Sequence, residues 1–298
     1  MSGKQFFVNR YKKLGWTYKQ PRLKRAIRIN TMNASQDDVV FRLESLGVTL
    51  EKIGFLEDGY WINKSKFSVG ATAEYLLGLY SIQETAAQIP ATLFTALKDK
   101  TVLDACASPG GKTVQLANLM NNSGVVVALE LKQRKMFALT NQLERSRVTN
   151  TAVYNMDAKE ATKLNMKFDC VLLDVPCSGN PITDRDWFNK RTIEDVHRNA
   201  RRQRQILAEA AKVTKDGGEI VYATCSLEPE ENEFNVDWAI SKLPLKLEKI
   251  NCYGEKGLTN VFGKELDPSI KNCKRIWPYK TQGFFVCKLK KQKGEDNE

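Results

Sequence analysis

A chain of 298 residues, 42% hydrophobic and 27% charged, has room for one large domain or two modest ones, and its composition excludes the fibrous and low-complexity classes. Seven cysteines (Cys106, Cys170, Cys177, Cys225, Cys252, Cys273 and Cys287) without a CxxC pair, and a single histidine, His197, argue against a disulfide framework, a zinc ribbon or any metal site built on clustered imidazoles. The formal net charge of +11 is uneven: residues 1–36 carry nine Lys or Arg and no acid, residues 271–298 eight against three acids, and residues 37–270 29 against 32, so two basic ends suited to phosphate backbones flank a near-neutral middle.

In chain order, Ile27 and Ile29 mark a short strand, and Ser35 to Leu46 a helix with Ser35 and Asp38 placed as a capping pair. Short strands follow around Val48–Ile53 and Gly59–Ile62. This small α/β module with its basic N-terminal tail occupies residues 1–68, and residues 69–98 join it to the main domain, ending in a helix near Ala91–Leu97. From residue 99 to 292 strands and helices alternate: strand Val102–Ala105, helix Thr113–Met120, strand Val125–Glu130, helix Lys132–Arg145, then strands Ala152–Tyr154, Cys170–Asp174 and Ile220–Thr224. Such alternation predicts an α/β fold with a doubly wound parallel sheet and ligands at the carboxyl ends of its strands. Lys274–Pro278 and Phe284–Leu289 read as a closing hairpin that adds an antiparallel strand at the sheet edge, and residues 293–298 as a tail. Val125–Leu131 and Val171–Leu173, the longest apolar runs, are far shorter than the ~20 residues that cross a bilayer, and Met1–Asn9 has no signal-peptide core. A monomer in the cytoplasm, with reduced thiols and no membrane partner, is the expectation.

The turn Cys106-Ala107-Ser108-Pro109-Gly110-Gly111-Lys112 follows a buried strand and opens a helix, where backbone can approach a cofactor closely. It is not a P-loop, because Cys106 stands where the leading glycine is required, and no GxGxxG occurs at a strand-to-helix turn. Glu130, Asp157 and Asp174 end or closely follow successive strands, lining one edge of the sheet with carboxylates. That edge would repel the phosphates of a nucleotide but suits a cationic nucleoside, S-adenosylmethionine, with the acid after the second strand on the ribose. Two cysteines stand at the same edge, Cys177 in DVPCSG and Cys225 in ATCS. Thiolate addition to carbon 6 of a pyrimidine creates the electron density that alkylation at carbon 5 needs.

The segments DACASPGGKT, LLDVPCSGN and YATCSLEPEENE resemble the three signature motifs of the Sun-type (Nop/RsmB/Sun) RNA cytosine-5 methyltransferases. The resemblance runs from about residue 20 to 290 and takes in SIQETAAQIP, RRQRQIL and IWPYKTQGFFVCKL. It implies a Rossmann-like class I methyltransferase sheet preceded by a small RRM-like module. It also implies that Cys106 to Lys112 hold the methionine end of S-adenosylmethionine, with Glu130 on the ribose, Asp157 near the adenine and Asp174 between cofactor and target base. Cys225 is carried over as the nucleophile and Cys177 as the residue that assists release, whereas a DNA-type enzyme would attack with the cysteine at position 177; TCS followed by EPEEN favours the RNA type. On this reading Asp174 hydrogen-bonds ring nitrogen 3, and Lys112 pairs with Asp174 or activates a thiol. Two departures stand out: Asn180 to Arg185 replaces a glycine-threonine and basic stretch after PCSG, and Ala87 stands where serine is frequent. The arginines at 198, 201, 202 and 204 do not share a helix face, and their contact with RNA stays open. The substrate implied is RNA, tRNA ahead of rRNA, with an RNA-binding factor that does not modify its RNA as the reading from another class.

Overall fold

The computed structural model describes residues 3–293; residues 294–298 of the expected tail lie outside the described residues. The N-terminus corrects an expectation at once. Instead of a basic tail, Lys4–Lys13 form a helix, α1, because Phe7, Tyr11 and Leu14 recur at i, i+4 and i+7 and make one apolar stripe. That stripe and Trp16 are buried in the main core: Phe7 meets Trp187 edge-on at 4.6 Å and Trp16 stacks on Trp277 at 5.7 Å. Lys4, Lys12 and Lys13 remain exposed.

The small module runs β1 (Arg25–Ile29), α2 (Gln36–Ser45), β2 (Thr49–Lys52), β3 (Gly59–Lys64), α3 (Ala73–Leu76) and β4 (Tyr80–Ile82), with strand order β2-β3-β1-β4 and every pairing antiparallel. This is the βαββαβ arrangement the resemblance implies, and Ser35 accepts the Asp38 amide at 3.2 Å as its spacing predicts. Its last strand lies in the segment expected to be a joiner. Ile27, Ile29, Val39, Leu43 and Tyr80 form the module's own core. The opposite sheet face is covered by the rest of the molecule: Trp61 donates to Thr85 Oγ1 at 2.9 Å, and Arg28, 2% exposed, donates to Gln83 Oε1 at 2.8 Å and to the Gly111 carbonyl at 3.0 Å. The helix expected near Ala91–Leu97 does not form. The chain makes only the tight turns Ala86–Gln88 and Pro90–Leu93 and becomes extended at Phe94, as Ile89, Ala91, Phe94 and Leu97 bury against the sheet.

The main sheet follows with β5 (Thr101–Asp104), α4 (Gly111–Leu119), β6 (Val125–Leu129), α5 (Gln133–Arg145), β7 (Thr151–Tyr154), β8 (Phe168–Asp174), α6 (Trp187–Lys190), α7 (Ile193–Val213), β9 (Thr214–Thr224), α8 (Glu233–Lys242) and β10 (Leu245–Glu248). Beyond them come β11 (Glu255–Lys256), the small hairpin β12 (Asn260–Val261) and β13 (Lys264–Glu265), then β14 (Lys274–Ile276) and β15 (Phe284–Lys291). Among the described residues the sheet has nine strands, in the order β11-β14-β15-β9-β8-β5-β6-β7 with β10 also on β15. Pairings from β7 to β9 are parallel and β15 joins β9 antiparallel, which is the Rossmann-like sheet implied above. β14 and β15 form the expected antiparallel hairpin at this side of the sheet, β15 joining β9, with β14 and β10 along its outer side. Val102, Leu103, Val171, Leu172, Val221 and Tyr222 are fully buried, as strands covered by helices on both faces require. No helix among the described residues is long and apolar enough to cross a membrane.

Candidate active site

The carboxyl ends of β5, β6, β8 and β9 carry, in turn, Asp104 and Cys106, Glu130, Asp174, and Cys225. The turn after β5 closes on Gly110, whose φ of +105° falls in the left-handed region; a Cβ there would lie 3.0 Å from Leu139 Cδ1, so only glycine allows α4 to start against α5. Two adjoining clefts open over this edge. One, of about 180 Å³, is lined by Cys106, Ser108, Glu130, Asp157, Asp174 and Arg202 among others. The second, of about 210 Å³, is lined by Gln83, Glu84, Ala87, Asp104 and the turn residues Cys106, Ala107, Ser108, Pro109, Gly111 and Lys112, with Asp174 again. Of the residues singled out in the turn, Gly110 alone lines neither cleft; it holds the turn's shape.

The acids differ in how free they are. Glu130, 8% exposed, accepts the Lys132 amide at 2.7 Å through Oε1, and its other oxygen is unpartnered among the described residues. Asp157 spends its oxygens on Lys159, accepting that residue's amide at 3.1 Å and pairing with its ammonium at 3.4 Å. Asp104 is buried; Thr113 donates to its Oδ2 at 2.7 Å while Oδ1 has no partner, and burial pushes its pKa up to about 6. Asp174 Oδ2 lies 2.7 Å from Lys112 Nζ. Burial works against the Lys112 ammonium, but Asp174, and behind it Asp104, outweigh burial and raise its pKa. Burial raises the Cys106 thiol well above the ordinary range, so this cysteine lines the cleft as a neutral group.

Cys177 and Cys225, 48 positions apart in sequence, meet with their sulfurs 3.2 Å apart. The bond to Cys225, then burial, pushes the Cys177 thiol well up, and the two sulfurs share a proton between them. The contact is built from below. Glu231, fully buried, accepts the Ser178 amide at 2.9 Å, the Ser178 hydroxyl at 2.5 Å and the Gln203 amide at 3.1 Å, and Ser178 Oγ is 3.1 Å from Ser226 Oγ. The residues following each cysteine are thereby tied together. From the side, Asn180 donates to the Cys225 carbonyl at 2.8 Å and to the Gly283 carbonyl at 3.3 Å, while its Oδ1 accepts the Ile182 amide at 3.0 Å. The departure at Asn180 is therefore a structural bracket for the cysteine loop.

Sequence reasoning missed Arg202, Gln83, Glu84 and Glu231. The quoted segments RRQRQIL, SIQETAAQIP and YATCSLEPEENE contained all four, and Arg202 was weighed only for RNA contact; only the fold aims the first three at the clefts and brings Glu231 under the thiols. Among the described residues Arg202 makes no ion pair, so it is a half-buried cation facing the nucleoside-sized cleft.

Residues 91–290 match the family of the 16S rRNA methyltransferase RsmB/F, and residues 4–85 match the N-terminal domain of 16S rRNA methyltransferase RsmF. The chain is 33% identical over 275 residues to a mouse (Mus musculus) 28S rRNA (cytosine-C(5))-methyltransferase, covering 89% of this chain and 35% of the mouse protein. It is 34% identical to the ribosomal RNA small subunit methyltransferase F of Aeromonas salmonicida, covering 92% of this chain and 59% of that protein. The chain thus spans about a third and about three fifths of these relatives. A crystal structure of a methyltransferase homolog protein from Pyrococcus horikoshii superposes with a TM-score of 0.88 at 35% identity, covering 97% of this chain and 95% of that one.

Proposed function

The chain belongs to the RsmB/F methyltransferase family, and from that premise we propose that it transfers a methyl group from S-adenosylmethionine to carbon 5 of a cytosine in ribosomal RNA. The observation that carries this reading is the pair of sulfurs 3.2 Å apart beside the Lys112–Asp174 pair. Ribosomal RNA replaces the tRNA expected from the sequence, because the relatives named above act on ribosomal RNA.

The residues present fit the cofactor. Asp104, Glu130, Asp157 and Asp174 around the two clefts suit a cationic nucleoside, and the orphaned Oδ1 of Asp104 is a buried acceptor with nothing to accept. Glu130 would hold the ribose hydroxyls through its free oxygen, Cys106 to Lys112 the methionine end, and Asp157 the adenine side, where its engagement by Lys159 leaves it the weaker contact. Bound there, S-adenosylmethionine supplies an electrophilic methyl on a positive sulfur.

The chain's own groups supply the rest. Cys225 adds through its sulfur to carbon 6, with Lys112 and the S–H of Cys177 at hand to support negative charge on that sulfur. A proton passed from the Lys112 ammonium through Asp174 to ring nitrogen 3, and returned when the adduct breaks down, takes up the charge that addition pushes into the ring. Carbon 5, now electron-rich, takes the methyl. A water held beside Cys177 takes the carbon-5 proton and passes it to solvent, and the freed C–H electron pair re-forms the carbon 5–carbon 6 double bond as the bond to the Cys225 sulfur breaks. These roles follow the motif resemblance, in which the cysteine of the TC segment attacks and that of the PC segment assists release; the sulfur contact fits them without choosing between the two thiols.

Cys177→Ala is expected to accumulate a denaturant-stable protein–RNA adduct, and Cys225→Ala neither adduct nor product; the opposite pattern overturns the roles. Labelled methyl is expected in 5-methylcytosine of rRNA. Label in tRNA alone restores the other substrate, and no label in any RNA leaves only the non-catalytic binding factor.

A further inference from the structure

The face of the small module's sheet that could take RNA is closed: Trp61 and Arg28 are spent on Thr85, Gln83 and Gly111. Single-stranded RNA must be gripped elsewhere. A groove of about 550 Å³ runs between the extended segment that follows α1, residues 15–22, and the loop Pro278–Tyr279. Its floor is Trp16, held by its stack on Trp277. Tyr279 stands up from one wall with 58% of its surface exposed, and Lys19 and Arg22 line the other, exposed and, among the described residues, without ion pairs. The acid nearby, Glu51, pairs with Lys24.

Both walls lead to the thiols. Gln20 donates to the Ile182 carbonyl at 3.3 Å, in the loop that follows Cys177. The other wall continues from Tyr279 to Gly283, whose carbonyl accepts from Asn180, the amide that also holds the Cys225 carbonyl. An open aromatic ring with unpaired cations opposite is the pattern that binds single strands, one group for a base face and the others for phosphates.

We propose that this groove carries the single-stranded RNA flanking the target cytosine, with one base stacked on Tyr279 and adjacent phosphates on Lys19 and Arg22. The proposal rests on the RNA reading above and specifies its substrate path. The test uses the full chain and a fluorescent oligoribonucleotide in binding titrations, with cofactor affinity as the check that each variant is folded. Tyr279→Ala is expected to weaken binding roughly tenfold, within the range for losing one base stack, and Tyr279→Phe to bind as wild type. Lys19→Ala with Arg22→Ala is expected to reduce the salt dependence by about 1.4 in log–log slope, roughly 0.7 for each phosphate contact on a single strand. Wild-type affinity in Tyr279→Ala, or an unchanged slope in the double variant, overturns the groove. Methyl transfer separates the two readings: a wild-type chain that modifies no RNA sinks the activity and leaves the groove to the binding data, while Tyr279→Ala with wild-type KM on a substrate the wild type methylates sinks the groove alone.

Discussion

Replacing Glu231 probes how the two thiols are held together. In Glu231→Ala the Ser178 amide loses its acceptor in a buried place, while the Ser178 hydroxyl and the Gln203 amide each lose one bond and keep Ser226 Oγ and the Pro176 carbonyl. An unsatisfied buried donor costs about 1–3 kcal/mol and each bond lost by a donor that keeps a partner about 0.5–1.5 kcal/mol, so the sum is about 2–5 kcal/mol once neighbours relax together. That is a large share of a typical domain stability of about 5–15 kcal/mol. Glu231→Gln keeps an oxygen for the two amides and offers its own N–H to Ser178 Oγ, so its cost is about 1 kcal/mol. The carboxyl also sets a pH dependence. Burial raises its pKa from an ordinary 4.5 to about 7, so between these values the folded form holds a proton that the unfolded chain has lost. Stability is greatest below pH 4.5 as far as this group is concerned and falls as pH rises toward 7, by roughly 3 kcal/mol. Glutamine has no such titration. In urea unfolding at pH 5 and pH 8, the Gln variant should therefore gain on wild type at the higher pH, and the Ala variant should trail Gln at both. Equal stability of Ala and Gln would refute the bracket, and a wild-type–Gln difference that does not change with pH would refute the raised pKa.

Two further outcomes test other parts of the structure. Phe7→Ala removes a fully buried ring that meets Trp187 and should cost about 3–5 kcal/mol in unfolding experiments; a variant of wild-type stability would return α1 to the role of a solvated tail. Glu130→Ala should weaken S-adenosylmethionine binding roughly 10- to 100-fold in calorimetric titration, the equivalent of one charged hydrogen bond of about 1.5–3 kcal/mol, and unchanged affinity would remove Glu130 from the cofactor site.

Much of the site was legible because its residues lie in short local segments. Strand, turn and helix signals around Cys106 to Lys112, Asp174 to Cys177 and Thr224 to Cys225 placed each group at a strand end, and the clefts and the thiol contact lie there. Glu231 lies within the quoted YATCSLEPEENE, but its role was not legible there: it is buried because Ser178 and Gln203, from a loop and from α7, come to it. In α1 the apolar spacing was present, but nine cations and no acid in the first 36 residues masked a core helix. The strand order at the far side of the sheet, with β15 between β9 and β14, depended on pairings across more than 60 residues of sequence.

By itself the amino-acid sequence determined the α/β alternation, the acid-lined cofactor edge and the two cysteines beside it, because period, turn chemistry and motif spacing are local properties of the chain. The tertiary structure alone decided which cations stay unpaired. Arg10 is drawn inward to Glu228 and Glu230, and Arg28 to Gln83 and Gly111, whereas Lys19 and Arg22 line an open groove. Charge can be counted along a chain, but its partners are set by the contacts that folding brings together.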